Sequence, residues 1–586
     1  MSTAPTGAAR AAEDGTGDPH PMASAQARVA AAYDRLAREA GTDSPGGEAV
    51  RTVWIALRPR EDVAAEARRI DERAAAGEPL PLAGRLLAVK GNIDVAGLPT
   101  TAGCPSYAYQ PEADAPVVAA LRAAGAIVLG VTNMDQFATG LVGTRSPYGA
   151  PRSMLDGRRV SGGSSSGSAV AVARGWVDLA LGTDTAGSGR VPAAFNGIVG
   201  LKPTRGLLPT RGVVPACASL DCVSLFARTL PEARQAFALL AAPVPPPRPP
   251  GPWRVAVAVP DRLGDLDPGW ARAYRAAADR LAGHGVALRT IDLGPFVEAA
   301  ALLYEGAFVA ERYTAVGAFV DGHSGAPDLD PTVAAIITAG RDVPAYRLFA
   351  DRERLARLRA RTEAELGDCD ALLLPTTPGH PTPAEVAADP VGANSRLGRF
   401  TNSTNLLDMC AVAVPGAGGP AGFGVMLLGP ARTDERLTEI AALLEGPRRL
   451  AVVGAHLSGQ PLNCELLSLG ARLQVTTRTA PAYRLHVLDT VPPKPGLVRV
   501  REGGAAVEAE VWELPDRALG ILTAALPRPM TLGRVELADG TTATGFLCEP
   551  EALEGTRDIT GFGGWRAYLA AGGAAPPVPE EGRPRR

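Results

Sequence analysis

At 586 residues, with 46% hydrophobic and 21% charged positions, the chain is globular in composition and too long for one ordinary core, so two or more domains are expected. A formal net charge of −3 gives no electrostatic footprint for nucleic acid, and no apolar run approaches the roughly 18 residues that a membrane span needs. Seven cysteines without CxxC spacing favour reduced thiols in the cytoplasm over a disulfide framework or a zinc site, and no motif for a metal or cofactor is read.

In chain order, the first twenty-odd residues are small and polar with no apolar h-region. No signal peptide is expected from such a stretch, and residues 1–24 are expected to form a disordered tail. Residues 25–40 have apolar positions at helical spacing. LLAVK, ending at Lys90, reads as a buried strand, PVVAALRAAGA as a helix and AIVLGVTN as another strand. That alternation predicts an α/β fold with a largely buried sheet. The polyproline-like stretch 241–252 is read as a surface connector within one domain, because strand-like RVAVAVP follows at once. Near residues 444–453 the texture becomes strand-rich: LAVVGAHLSG, YRLHVL, GLVRV, AEVWEL and RVELADGTTATGFL. Residues 572–586, rich in Pro, Glu and Arg, are expected to be a second disordered tail.

The chemistry concentrates in SGGSSSGSAVAVARGWVDLALGTDTAGSGRVP, residues 161–192. Two serines, Ser164 and Ser188, lie 24 residues apart in separate glycine-rich turns. No histidine stands between His20 and His284, so a Ser-His-Asp hydrolase has no local base and Lys90 becomes the candidate proton acceptor. An amine of ordinary pKa, about 10.4, is charged, and only burial among dipoles would make it a base. The end of the apolar run LLAV suits such burial. Ser165, Ser166 and Ser168 compete with Ser164 and read as loop and cap hydrogen-bonders. A phosphate-cradling loop is not supported, since neither GxxxxGK[ST] nor GxGxxG is present in register.

GGSSSGS, GTDTAGSGR and VKGNIDVAG resemble, in order, three motifs of the amidase signature family, and the likeness covers about residues 25–445. Gly91 stands where that family commonly has aspartate, and Ala186 where it commonly has glycine. The resemblance implies the amidase signature fold, a central mixed sheet flanked by helices. It also implies Ser188 as nucleophile, Ser164 as a proton relay after a cis peptide bond, and Lys90 as base. The N–H groups of Thr185, Ala186, Gly187 and Ser188 would form the oxyanion hole.

TAGSGR and YEGAFVAERY look like the allophanate hydrolase branch of the family, which implies that Tyr304 and Arg312, two turns apart on one helix, hold the carboxylate of allophanate. Residues 449–571, with VGAHLSG, RTAPAYRL and DITGFGGWRAY, resemble that branch's C-terminal domain. This implies a smaller strand-rich α+β fold related to γ-glutamylcyclotransferase-like proteins, which decarboxylates N-carboxycarbamate so that ammonia and CO₂ result. His456 is nominated for that second site, while nothing in the spacing of Tyr483, Arg484 or Glu510 fixes a role. A homodimer is expected, coupled in function to a biotin-dependent urea carboxylase or a biuret hydrolase. Two rival readings stand beside this one. One is an amidase of other specificity, such as a tRNA-dependent amidotransferase A-like subunit. The other makes the C-terminal segment a noncatalytic interaction module.

Overall fold

The computed structural model describes residues 24–41, 45–241, 251–259, 262–445, 448–490, 493–514 and 516–572. Both expected tails, but for Ser24 and Gly572, and positions 242–250 of the polyproline-like stretch lie outside the described residues. The chain divides into two compact units at Glu445/Gly446.

The first unit is built on an eleven-stranded mixed sheet. Its strands are β1 (Trp54–Leu57), β2 (Leu86–Lys90), β3 (Ile127–Thr132), β4 (Leu179–Asp184), β5 (Val199–Lys202) and β6 (Cys222–Ala227). They continue with β7 (Arg254–Val257), β8 (Ala287–Thr290), β9 (Ala371–Pro375), β10 (Met409–Pro415) and β11 (Gly424–Pro430). The spatial order is β1-β3-β2-β4-β6-β5-β10-β11-β9-β7-β8. Every residue of β2, β3 and β4 is buried, which is why these strands read as continuous apolar runs without alternation.

Register positions the chemistry. β2 pairs in parallel with β4, with Val89 opposite Leu181, so Lys90 and Thr183 emerge at the same edge of the sheet. The helix Ala25–Ala40 buries Ala25, Val29, Ala32 and Leu36, a spacing that lays one apolar stripe on the core. Each large aliphatic side chain buried this way contributes about 1.5–3 kcal/mol. Tyr304 and Arg312 do not share one helix, contrary to expectation. Helix Gly294–Glu305 ends, the chain runs extended at Gly306 into a short 3₁₀ turn, and helix Ala310–Gly322 begins anew.

The second unit has its own core, including Leu450, Val511, Leu514, Val535, Ile559 and Trp565. Its strands are β12 (Arg448–Val452), β13 (Arg472–Arg478), β14 (Tyr483–Leu488), β15 (Lys494–Arg499), β16 (Glu508–Leu514), β17 (Met530–Glu536), β18 (Thr542–Cys548) and β19 (Arg557–Asp558). Five form one sheet, β13-β16-β12-β18-β17, and three another, β15-β14-β19. The strand β13 was not legible in the sequence. It lies at a sheet edge with nearly every side chain exposed, and its apolar signal is only the short alternation of Leu473 and Val475.

Candidate active site

Lys90, the last residue of β2, is fully buried. Its Nζ donates to Ser164 Oγ and to Thr183 Oγ1, each at 2.7 Å. Burial draws the amine's pKa down to about 7, against the opposing pull of the Asp135, Asp184 and Asp221 carboxylates. An amine so placed is available as a base near neutral pH. Thr183 escaped the sequence reading, although the parallel pairing of β2 with β4 places it beside the lysine.

Ser164 is joined to Gly163 by a cis peptide bond. A side chain on Gly163 would put its first carbon 2.1 Å from Asp135 Oδ2, so only glycine fits there. Asp135 braces this loop: its N–H donates to the Ser164 carbonyl, and its carboxylate accepts the N–H groups of Gly143 and Arg145. The neighbouring serines face elsewhere. Ser165, Ser166 and Ser168 donate to the carbonyls of Thr183, Asn133 and Leu181. Ser165 occupies the N-cap position of helix Ser166–Ala173, yet its hydroxyl makes no capping bond.

β4 runs directly into the turn that carries Ser188. Asp184, fully buried, organises that turn by accepting the N–H groups of Gly187 and Gly189, each at 3.0 Å, and by pairing with buried Arg190 at 2.9 Å. Burial pushes the Asp184 carboxyl up, but Arg190 outweighs it and holds the group below the usual carboxylate range. Gly187 has φ +131°, and a side chain there would meet Thr401 Oγ1 at 2.5 Å.

Of the four expected oxyanion donors, the Gly187 N–H donates to Asp184. The N–H groups of Thr185, Ala186 and Ser188 meet no acceptor among the described residues. The Ser188 hydroxyl is nearly buried, and no hydrogen bond joins it to Ser164 among the described residues.

Arg312 is 1% exposed and half-buried Tyr304 touches it. Arg312 Nη1 donates to Thr139 Oγ1 at 2.8 Å and Nη2 to the Tyr304 hydroxyl at 3.0 Å, with the guanidinium over the tyrosine ring. Both partners are neutral, and no carboxylate pairs with this cation among the described residues. Burial pushes the Asp221 carboxyl up, opposed by the hydrogen bond it accepts from the Thr185 hydroxyl beside the Ser188 turn and, more weakly, by nearby Arg312. The two residues thus meet as expected, across a helix break.

In the second unit, His456 stacks on Phe546 with ring centroids 4.9 Å apart, and its Nε2 lies 3.2 Å from Glu465 Oε2. Burial lowers its pKa, Glu465 opposes the shift and nearby Lys494 reinforces it. His456, Glu465, Lys494 and Phe546 line a cavity of about 290 Å³ whose other walls are mostly apolar. Tyr483, Arg484 and Glu510 stand outside that lining. Glu510 accepts from Ser458, Trp512 and Arg566, a closed structural network.

All seven cysteines are unpaired, six of them buried and Cys464 exposed. Among the described residues no cluster of His, Cys, Asp and Glu could hold a metal ion, and no helix is long and apolar enough to cross a membrane.

Residues 51–438 match the family model described as Amidase, and residues 448–570 that of the allophanate hydrolase C-terminal domain. Over 584 residues and 90% of the chain there is 41% identity to a urea amidolyase of Saccharomyces cerevisiae. The chain spans about a third of that relative's length (32%). A glutamyl-tRNA(Gln) amidotransferase subunit of Thermus thermophilus is 34% identical over 67% of the chain and 89% of its own length. Among solved structures, the Kluyveromyces lactis allophanate hydrolase superposes with a TM-score of 0.66 at 38% identity, covering 94% of this chain and 98% of that one.

Proposed function

The chain belongs to the amidase family and carries an allophanate hydrolase C-terminal domain, and on that premise we propose that it releases ammonia from allophanate. It is an amidohydrolase of the allophanate hydrolase type. The choice of substrate, the role of each residue and the partners are the proposal. In this reading Ser188 Oγ attacks the terminal carboxamide carbon, and its proton passes through Ser164 to uncharged Lys90. The N–H groups of Thr185, Ala186 and Ser188 receive the oxyanion, while Asp184 fixes the turn by binding Gly187. Lys90 then returns the proton to the leaving ammonia, and water releases N-carboxycarbamate from Ser188.

The observation that carries the substrate assignment is the buried Arg312 guanidinium, held by two neutral oxygens. A desolvated cation whose hydrogen bonds go to hydroxyls, with no carboxylate in direct contact, favours an anionic ligand, and arginine binds carboxylate through paired donors. Allophanate offers both a carboxamide and a carboxylate.

The second unit would decarboxylate N-carboxycarbamate. Its mostly apolar cavity is lined by His456 and Lys494, the polar groups that would hold the dianionic ligand. Truncation after Glu445 tests this: ammonia release persists and N-carboxycarbamate accumulates if the cavity is catalytic, whereas an interaction module leaves the products unchanged. The amidotransferase A-like reading gives residues 448–570 no task.

Functional coupling to a urea carboxylase is supported by longer relatives named urea amidolyases. The unpaired cysteines fit a cytoplasmic site of action. The deciding assay is ammonia release from allophanate against urea, biuret and malonamide. Preferred turnover of allophanate supports the assignment, and turnover of urea by the chain alone contradicts it.

A further inference from the structure

The turn Asp135–Thr139 touches both ends of the site. At one end the Asp135 N–H donates to the Ser164 carbonyl, beside the Lys90 contact. At the other end Thr139 Oγ1 accepts from Arg312 Nη1 at 2.8 Å. Between them Phe137 and Ala138 both adopt left-handed φ, 48° and 51°, which non-glycine residues rarely do. Such consecutive strain persists only where the surroundings enforce it. Here they do. Arg145 Nη1 donates to the Thr139 carbonyl, the Phe137 N–H to the Ala102 carbonyl, and the Gln136 side-chain oxygen accepts the Asp330 N–H.

The coiled backbone lets the Thr139 hydroxyl donate to the Phe137 carbonyl at 3.1 Å. With its one proton committed there, the oxygen presents a lone pair to Arg312. Thr139 is 1% exposed, so the contact is shielded from bulk solvent.

We infer that Thr139 is a positioning residue for substrate selection, which fixes the Arg312 cation at a set reach from Ser164 so that carboxylate-bearing amides are aligned for attack. It acts through Arg312 and touches no reacting atom. The inference rests on the proposed use of an anionic amide.

The test compares Thr139→Val, which keeps shape and removes the acceptor, with Thr139→Ser, which keeps the hydroxyl. Substrates are allophanate and malonamate, both anionic, and neutral malonamide. Leaving a buried charged donor unpaired predicts a roughly ten- to hundredfold loss of kcat/KM for both anions in Thr139→Val, mostly through KM. Malonamide turnover should stay within about twofold and Thr139→Ser should restore the anions to within about threefold. Equal losses on all three substrates, or no loss on the anions, would overturn the inference. Failure of the parent enzyme on allophanate, with malonamate turned over, overturns the substrate proposal instead and leaves Thr139 to be judged on malonamate.

Discussion

Lys90 Nζ and Ser164 Oγ, 74 residues apart in sequence, stand 2.7 Å apart in a site closed to solvent. The contact ties the end of β2 to the glycine-rich loop before helix Ser166–Ala173 and selects Ser164 from the neighbouring Ser165, Ser166 and Ser168.

Replacing Ser188 or Lys90 by alanine is therefore expected to abolish ammonia release. Ser165→Ala should retain most of it, because the Ser165 hydroxyl is spent on the Thr183 backbone and no chemical step is assigned to it. Steady-state rates of the three purified variants check this. A Ser165→Ala loss as deep as that of Ser188→Ala would mean the wrong serine has been assigned.

The lysine also sets a pH dependence. With its pKa drawn to about 7, kcat/KM should rise with pH through that region and then level, since the uncharged amine is the working form. Lys90→Arg cannot deprotonate in this range and is expected to be folded by circular dichroism yet inactive. A flat profile from pH 6 to 9 would argue against a titrating lysine.

The same shift has a consequence for stability. Between about 7 and the ordinary 10.5, the unfolded chain carries a proton on Lys90 that the folded chain does not, so this residue's contribution to stability improves as pH rises through that window. Lys90→Met lacks the effect. Its stability relative to the parent should be most favourable at or below pH 7, by as much as several kcal/mol before lost hydrogen bonds are counted, and should decline toward pH 10. Urea unfolding at three pH values measures it, and a pH-independent difference contradicts it.

Arg190 and Asp184 are both fully buried, and Asp184 also ties down two N–H groups of the nucleophile turn. Arg190→Met leaves an unpaired carboxylate in the core and should cost about 3–5 kcal/mol in urea unfolding. A loss below about 1 kcal/mol would show that the pair is dispensable.

Much of this was legible in the sequence because it is local. The apolar stripe of residues 25–40 and the apolar run before Lys90 declare a helix and a buried strand, and the glycines around Ser164 and Ser188 declare turns. Contacts set by strand register were not legible. Thr183 reaches Lys90 only because β2 and β4 pair in parallel, and Thr139 reaches Arg312 only through two left-handed residues that no pattern announces. The break between Tyr304 and Arg312 was missed because both flanking segments carry helical residues, and only the extended Gly306 interrupts them.

The most direct test of the account is the response of Arg312→Ala to substrate charge. Ammonia release would be followed for parent and variant with allophanate and with neutral malonamide. The account predicts that the variant loses allophanate turnover by about a hundredfold or more while malonamide is processed at the parental rate. Retention of allophanate turnover would contradict the role of the buried cation, and equal loss of both substrates would reduce Arg312 to a structural residue.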